Sequence, residues 1–106
     1  MNTTASGVNR ASWHESVCIS AQHPALPGHF PGRPVVPGVV LLDRVSAAIE
    51  LRFGRTITGL AQVKFLRPLL PDEEAELVLA AAGNTVRFTL TRAGATIATG
   101  SIETAA

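Results

Sequence analysis

Three residues between positions 29 and 43 carry groups that suit acid–base chemistry. His29 stands in a proline-rich segment, and histidine is the commonest general base because it accepts a proton near neutral pH. Asp43 lies among valines and leucines, where burial would favour the protonated carboxyl and keep a proton ready for donation. Gly38 begins that apolar stretch, and free N–H groups at a helix start can bind a developing oxyanion. A base, an acid and an oxyanion site suffice to eliminate water beside a thioester: the base removes the α proton and the acid protonates the departing β-hydroxyl.

Each of these residues also has a structural interpretation. A histidine in a loop is more often structural or simply exposed than catalytic. Asp43 could be paired with an arginine or lie at a wet edge, because perturbed carboxylates also occur in structural networks. Pro37 and Gly38 could serve only to begin a helix.

A rigid loop and one helix must position these residues. Five prolines recur from Pro24 to Pro37, a density that excludes a helix or a central strand and leaves a loop with a fixed path. Pro37 then predicts a helix start, and Gly54 predicts its end after Phe53. Apolar residues cover nearly every direction of the first three turns, so the helix is expected to be buried all round, with only its outer end in water.

The rest of the chain predicts strands. The segment Trp13 to Ser20 places Trp13, Val17 and Ile19 on one side, and four further strands are expected at 57–66, 76–82, 86–91 and 95–103. Gly83-Asn84 and Ala93-Gly94 supply hairpin turns, and Pro68 and Pro71 bracket a turn between the strands at 57–66 and 76–82. The order favours an α+β fold, an antiparallel sheet curled around one central helix.

Composition narrows the class of protein. The 106 residues suit one domain, at 12–106, after a polar segment, 1–11, expected to be a flexible tail. A net charge of +1 and 5% aromatic residues give no argument for nucleic acid. No apolar run is long enough to cross a membrane.

Cys18 is the single cysteine, which fits a reducing compartment, so a cytoplasmic protein is expected. His14 and His23 have no companions at metal-ligand spacing, so neither a metal nor a cofactor is predicted.

Two stretches resemble the beta-hydroxyacyl-ACP dehydratases of bacterial fatty acid synthesis. The segment from Gly28 to Asp43, Gly-His-Phe-Pro-Gly-Arg-Pro-Val-Val-Pro-Gly-Val-Val-Leu-Leu-Asp, is similar to the family's signature, with Asp43 where one branch has aspartate and another glutamate. The segment Val63 to Asp72 is similar to the strand and turn that follow, although Asp72-Glu73 replaces the usual Gly-Asp. The chain is compact and looks like the dehydratases of specialised pathways, such as those that make aryl polyene pigments.

The resemblance implies a hot-dog fold and a dimer, with a homodimer expected and a larger or mixed assembly as the alternative. It implies that His29 is the base, that Asp43 of the partner subunit is the acid, and that the Gly38 N–H binds the thioester carbonyl. The substrate would be a 3-hydroxyacyl group on acyl carrier protein, an acidic partner. The candidate substrate-binding residues are Phe30, Pro31, Val36, Pro37, Val39, Val40 and Phe65, and the candidate carrier-docking residues are Arg33, Lys64 and Arg67.

Two other functions remain open from the sequence. An acyl-thioester hydrolase of the same fold could use Asp43 to activate water, although it would not need the His-Phe-Pro loop. A non-catalytic acyl-binding subunit of a mixed hot-dog dimer is the second, and the presence of both His29 and Asp43 argues against it.

Overall fold

The computed structural model describes residues 12–24, 26 and 35–105. The predicted tail at 1–11 lies outside these residues, as do His29, Phe30, Pro31 and Arg33. Within the part of the chain that is described, no helix is long and apolar enough to cross a membrane.

One helix and five strands follow the predicted order. The helix α1 spans Gly38–Phe53, and the strands are β1 (Ser12–Cys18), β2 (Ile57–Phe65), β3 (Glu74–Ala82), β4 (Thr85–Arg92) and β5 (Ala95–Thr104). The helix ends as predicted, because Gly54 adopts a left-handed φ of 64° and donates its N–H to the carbonyl of Glu50. The strand ends shift by one or two residues from the prediction, as hydrogen-bonded boundaries usually do.

The strands form one antiparallel sheet in the order β1-β3-β4-β5-β2. The turns at Gly83 and at Ala93-Gly94 join β3 to β4 and β4 to β5, with the positive φ angles that tight hairpins require. The predicted turn bracketed by Pro68 and Pro71 is present, with turn geometry at Pro71 and Asp72, but it does not form a hairpin. Because β2 pairs with β5 and β3 pairs with β1 and β4, the segment 66–73 connects two strands that are not neighbours.

The core lies between the helix and the inward-facing residues of the sheet. Alternate residues of the central strands are buried, including Leu77, Leu79, Phe88 and Ile102. They pack against the helix residues Val40, Leu41, Val45, Ala48 and Ile49. This confirms an α+β arrangement of one helix on an antiparallel sheet.

The prediction that the helix is buried on every side is wrong for the single chain. Val39 and Leu51 are 63% and 71% exposed, and Asp43 and Ala47 are also exposed. These residues follow the spacing of one helix face, so the apolar residues of that face have no cover within the described chain. Leu60, Phe65, Leu66 and Leu70 on or after the edge strand β2 are exposed as well.

Candidate functional site

The N-terminus of α1 presents free backbone donors, as the sequence predicted. Pro37 precedes the helix in an extended conformation, with φ −61° and ψ 146°, and its carbonyl accepts from the N–H groups of Val40 and Leu41 at 3.0 and 3.2 Å. Among the described residues, no acceptor is found for the N–H of Gly38 or of Val39, and no acidic side chain occupies the first turn. This end of the helix is therefore suited to bind an oxyanion or a polarised carbonyl.

A pocket of about 480 Å³ opens beside these donors. Its walls come from the segment before the helix, the first turn, and the end of β2 with the residues after it. They are Val35, Val36, Pro37, Gly38, Leu41, Phe65, Leu66, Arg67, Pro68 and Leu69. The lining is mostly apolar, with backbone donors and one arginine at its edge, a composition typical of small-molecule sites.

The predicted wall residues separate into three groups. Val36, Pro37 and Phe65 line this pocket. Val40 is buried in the core, so in the single chain it is a packing residue, and Val39 lies on the exposed helix face. Phe30 and Pro31 lie outside the described residues.

Asp43 lies at the centre of the exposed helix face, between Val39 one turn before and Ala47 one turn after. Asp43 is exposed rather than buried in the single chain. Of the two structural interpretations, a position at a wet edge therefore fits Asp43 better than pairing with an arginine. In the described ranges, no ion pair involves Asp43. Its neighbour Arg44 points to another side of the helix, as expected for consecutive helical residues.

The pocket and Asp43 of one chain point in different directions. Five residues separate Gly38 from Asp43, which turns the chain by roughly 140° around the helix axis and about 7.5 Å along it. Asp43 is accordingly absent from the pocket lining. One chain therefore brings the free N–H groups and the apolar pocket together, but it does not bring its own Asp43 to them.

A carboxylate on β1 was missed by the sequence reasoning. Glu15 lies between Trp13 and Val17 on the side of β1 that faces the helix, and its side chain is only 13% exposed. Its Oε1 accepts from Trp13 Nε1–H at 2.7 Å and from Arg52 Nε–H at 3.2 Å, and its Oε2 accepts from Arg44 Nη2–H. The guanidinium of Arg52 also lies 4.6 Å from the ring centroid of Trp13. The alternation of β1 could have indicated a half-buried carboxylate, because Glu15 lies on the same side of the strand as Trp13, Val17 and Ile19.

These contacts keep Glu15 ionised. Burial by itself would raise the pKa of Glu15, but hydrogen bonds from Arg44, Trp13 and Arg52, with the positive charge of Arg44, hold that pKa below its ordinary value of 4.5. Glu15 is therefore a carboxylate that joins the helix to β1. We call Trp13, Glu15, Arg44 and Arg52 the Glu15 cluster.

Apart from Arg67, the titratable side chains of the described residues do not line the apolar pocket. A polar groove of about 450 Å³ crosses β1, β3 and β4, where His14 Nδ1 lies 3.6 Å from Glu76 Oε2 with both side chains largely exposed. Across residues 12–24, 26 and 35–105, no three potential metal ligands lie close enough to hold an ion. Lys64 and Arg67 are exposed at the end of β2, and Arg67 stands at the pocket edge.

Comparison with known proteins matches this chain to dehydratases. The sequence profile of the ApeI-like family, described as ApeI dehydratase, matches residues 5–101. The 3-hydroxyacyl-[acyl-carrier-protein] dehydratase FabZ of Haemophilus influenzae is 36% identical over 69 residues, covering 56% of this chain and 47% of the relative. The chain thus spans about half the length of the relatives of this kind that it matches.

Solved structures share its architecture. An uncharacterized protein from Erwinia carotovora subsp. atroseptica superposes with a TM-score of 0.75 at 27% identity, covering 89% of this chain and 82% of that one. The dehydratase heterocomplex ApeI:P from Xenorhabdus doucetiae also gives 0.75, at 23% identity over 92% of this chain and 90% of that one. These likenesses and the helix-on-sheet arrangement confirm the hot-dog fold that the sequence resemblance implied.

Proposed function

Because the chain belongs to the ApeI-like dehydratase family, we propose that it removes water from a 3-hydroxyacyl thioester on acyl carrier protein, in the cytoplasm. The product is the trans-2-enoyl thioester, made for fatty acid or polyene-type synthesis. The observation that carries the proposal is the apolar pocket beside the free N–H groups of Gly38 and Val39. It offers a place for the acyl group directly next to donors for the thioester carbonyl.

The reaction needs a base at the α carbon and an acid at the hydroxyl of the β carbon. His29 removes the proton from the α carbon, and the electron pair moves toward the thioester carbonyl, whose developing negative charge is stabilised by the Gly38 N–H. The C–O bond at the β carbon then breaks as Asp43 of the partner subunit gives its proton to the leaving hydroxyl. The products are one enoyl thioester and one water, and the two side chains exchange their protons with solvent before the next turnover.

The exposed position of Asp43 supports a site shared between two subunits. Asp43 stands on the helix face that also exposes Val39 and Leu51, and the edge strand β2 exposes Leu60 and Phe65. A sheet edge with free N–H and C=O groups beside exposed apolar side chains is suited to pairing with another chain. We propose a homodimer in which these surfaces cover each other and each Asp43 enters the pocket of the other subunit.

Lys64 and Arg67 are proposed to dock the carrier protein. Both are exposed cations at or just after the end of β2, and Arg67 also lines the apolar pocket in which the acyl group is proposed to lie. An acidic carrier would be attracted to such a site, and electrostatic attraction acts chiefly on the rate of encounter. Arg33 stays a candidate from the sequence.

Mass spectrometry of a 3-hydroxyacyl carrier protein tests the function directly. The purified protein should remove one water from the acyl group, and the His29→Ala variant should not. Loss of the whole acyl group would instead indicate the thioester hydrolase. Absence of any change with short, long and aryl-bearing substrates would contradict the proposal for the homodimer. Activity that appears only when a second hot-dog chain is added would favour the mixed assembly.

A further inference from the structure

We propose that Glu15 is a positioning residue for Asp43, which sets the rotation of α1 about its own axis. The inference rests on the proposed function, since it assigns Glu15 a role in placing the acid of that reaction. Glu15 does not line the apolar pocket beside Gly38, although it borders the polar groove across β1, β3 and β4. It contacts Arg44 and Arg52 of the helix, and we infer that it acts through them.

The apolar residues of the helix leave its rotation weakly determined. Val39 and Leu51 lie outside the buried face, yet they are as apolar as the residues within it. A small rotation of the helix would therefore keep apolar side chains against the sheet, because cores tolerate hydrophobic exchange when volume is kept. Only a larger rotation would carry the charged Asp43 and Glu50 inward, so apolar burial sets the rotation coarsely and leaves its fine adjustment to other contacts.

The Glu15 cluster supplies this directional constraint. Arg44 lies at the border between the buried and exposed faces, and Arg52 lies in the last turn, so the two arginines tie the middle and the end of the helix to one carboxylate. Both oxygens of Glu15 are used, and Trp13 fixes the carboxylate from its own strand. Hydrogen bonds that involve charged groups on both sides are short, directional and stronger than neutral ones.

The position of Asp43 depends on this rotation. It precedes Arg44 directly, and about 100° separates consecutive residues around a helix. When the Glu15 carboxylate holds Arg44 toward β1, Asp43 stands at the centre of the exposed face, where a second subunit can reach it. A misplacement of about 1 Å caused by a remote mutation can lower a rate by about 100-fold.

The test compares Glu15→Ala and Glu15→Gln with a matched control, Glu73→Gln. Like Glu15, Glu73 accepts a hydrogen bond and lies near an arginine. Its donor is the backbone N–H of Leu70 at 3.0 Å and its arginine is Arg92 at 3.5 Å, and neither partner belongs to the helix. Glu15→Gln removes the charge while keeping an acceptor for Trp13, so it serves if Glu15→Ala does not fold. Steady-state kinetics on a 3-hydroxyacyl carrier protein are measured together with thermal unfolding and dimer mass.

We expect kcat to fall about 10- to 100-fold in Glu15→Ala and less in Glu15→Gln, as for a misplaced reacting group. KM should change less than about threefold, because much of the pocket wall lies outside the helix. Glu73→Gln should keep the kcat of the parent. A folded, dimeric Glu15 variant with the kcat of the parent overturns this inference alone, as does an equal fall of kcat in Glu73→Gln. An inactive parent overturns the proposed function and this inference with it.

Discussion

The ring of Phe65 rests directly on Gly38. A Cβ atom at residue 38 would lie 2.8 Å from Cζ of Phe65 and about as close to two further ring atoms, so only glycine lets the ring occupy this place. The end of β2 and the first residue of α1 are thereby in contact, and the ring forms one wall of the pocket beside the free N–H groups. The glycine that was predicted to lie where helix N–H groups bind an oxyanion is also the residue that lets Phe65 approach.

Gly38→Ala is expected to displace the Phe65 ring and to lower kcat/KM by at least about tenfold, since the site tolerates little misplacement. The cost in stability should be only about 1 kcal/mol, because the ring is half-exposed and can move outward. Steady-state kinetics and urea unfolding measure both effects. The double variant Gly38→Ala with Phe65→Leu should recover part of the loss if ring displacement is its cause. A Gly38→Ala variant with the kcat/KM of the parent would show that the contact between Gly38 and Phe65 does not matter for activity.

The Glu15 cluster should make part of the stability depend on pH. The pKa of Glu15 is lowered in the folded protein, so its contribution to the free energy of unfolding is fully present well above the ordinary value of 4.5. It is lost as the pH falls through the lower, folded-state pKa. Urea unfolding of the parent and of Glu15→Gln from pH 7 to pH 3 should show the difference between them shrinking below about pH 4.5. A difference that stays constant across this range would contradict the assignment.

Asp72 should be replaceable by asparagine but not by alanine. It adopts a left-handed φ of 66°, donates its N–H to the carbonyl of Ile19, and accepts the N–H of Ala21 through Oδ1 at 3.1 Å. Asparagine tolerates this backbone and keeps the acceptor, so Asp72→Asn should unfold at the same urea concentration as the parent. Alanine neither relieves the left-handed backbone nor keeps the acceptor, so Asp72→Ala should be less stable by about 1–2 kcal/mol. An Asp72→Ala variant as stable as Asp72→Asn would contradict this account.

Reversing the charges at the end of β2 should weaken the use of a carrier-bound substrate. Lys64→Glu and Arg67→Glu are expected to raise KM for a 3-hydroxyacyl carrier protein, and added salt should reduce the difference from the parent. The same acyl group on a small neutral thiol provides the control, and its KM should change little in Lys64→Glu. Equal effects on both substrates would show that these cations shape the pocket rather than dock a carrier.

Local signals in the sequence predicted the helix and the hairpins. Pro37 and Gly54 bound the helix because the proline fixes the φ of the residue before the first turn and the glycine accepts a left-handed φ, and both properties belong to single residues. The positions of β2 and Glu15 were not predictable in this way. The neighbours of β2 are decided by pairing with β5 far along the chain, and Glu15 acquires its role only from arginines 29 and 37 residues away.

The exposed face of the helix shows why part of the site could not be located from one sequence. Val39 and Ala47 flank Asp43 in a pattern that predicts burial. The pattern does not show whether residues of the same chain or of a second chain would bury this face. In the single chain this face is open, so the expectation of a buried Asp43 is wrong there, and its burial in a dimer stays a prediction. The partnership of His29 with Asp43 of the partner subunit stays a prediction.

Active-site complementation tests that partnership most directly. His29→Ala and Asp43→Asn are each expected to fold as dimers and to be inactive alone. When the two variants are unfolded together and refolded at equal amounts, half of the dimers should be mixed, and each mixed dimer should hold one site with both residues intact. The mixture should regain about a quarter of the parent's dehydratase activity, as expected for a two-fold symmetric pair with random assembly. If His29 and Asp43 instead act from the same chain, every site in the mixture lacks one of them, and confirmed mixed dimers without activity would contradict the shared site.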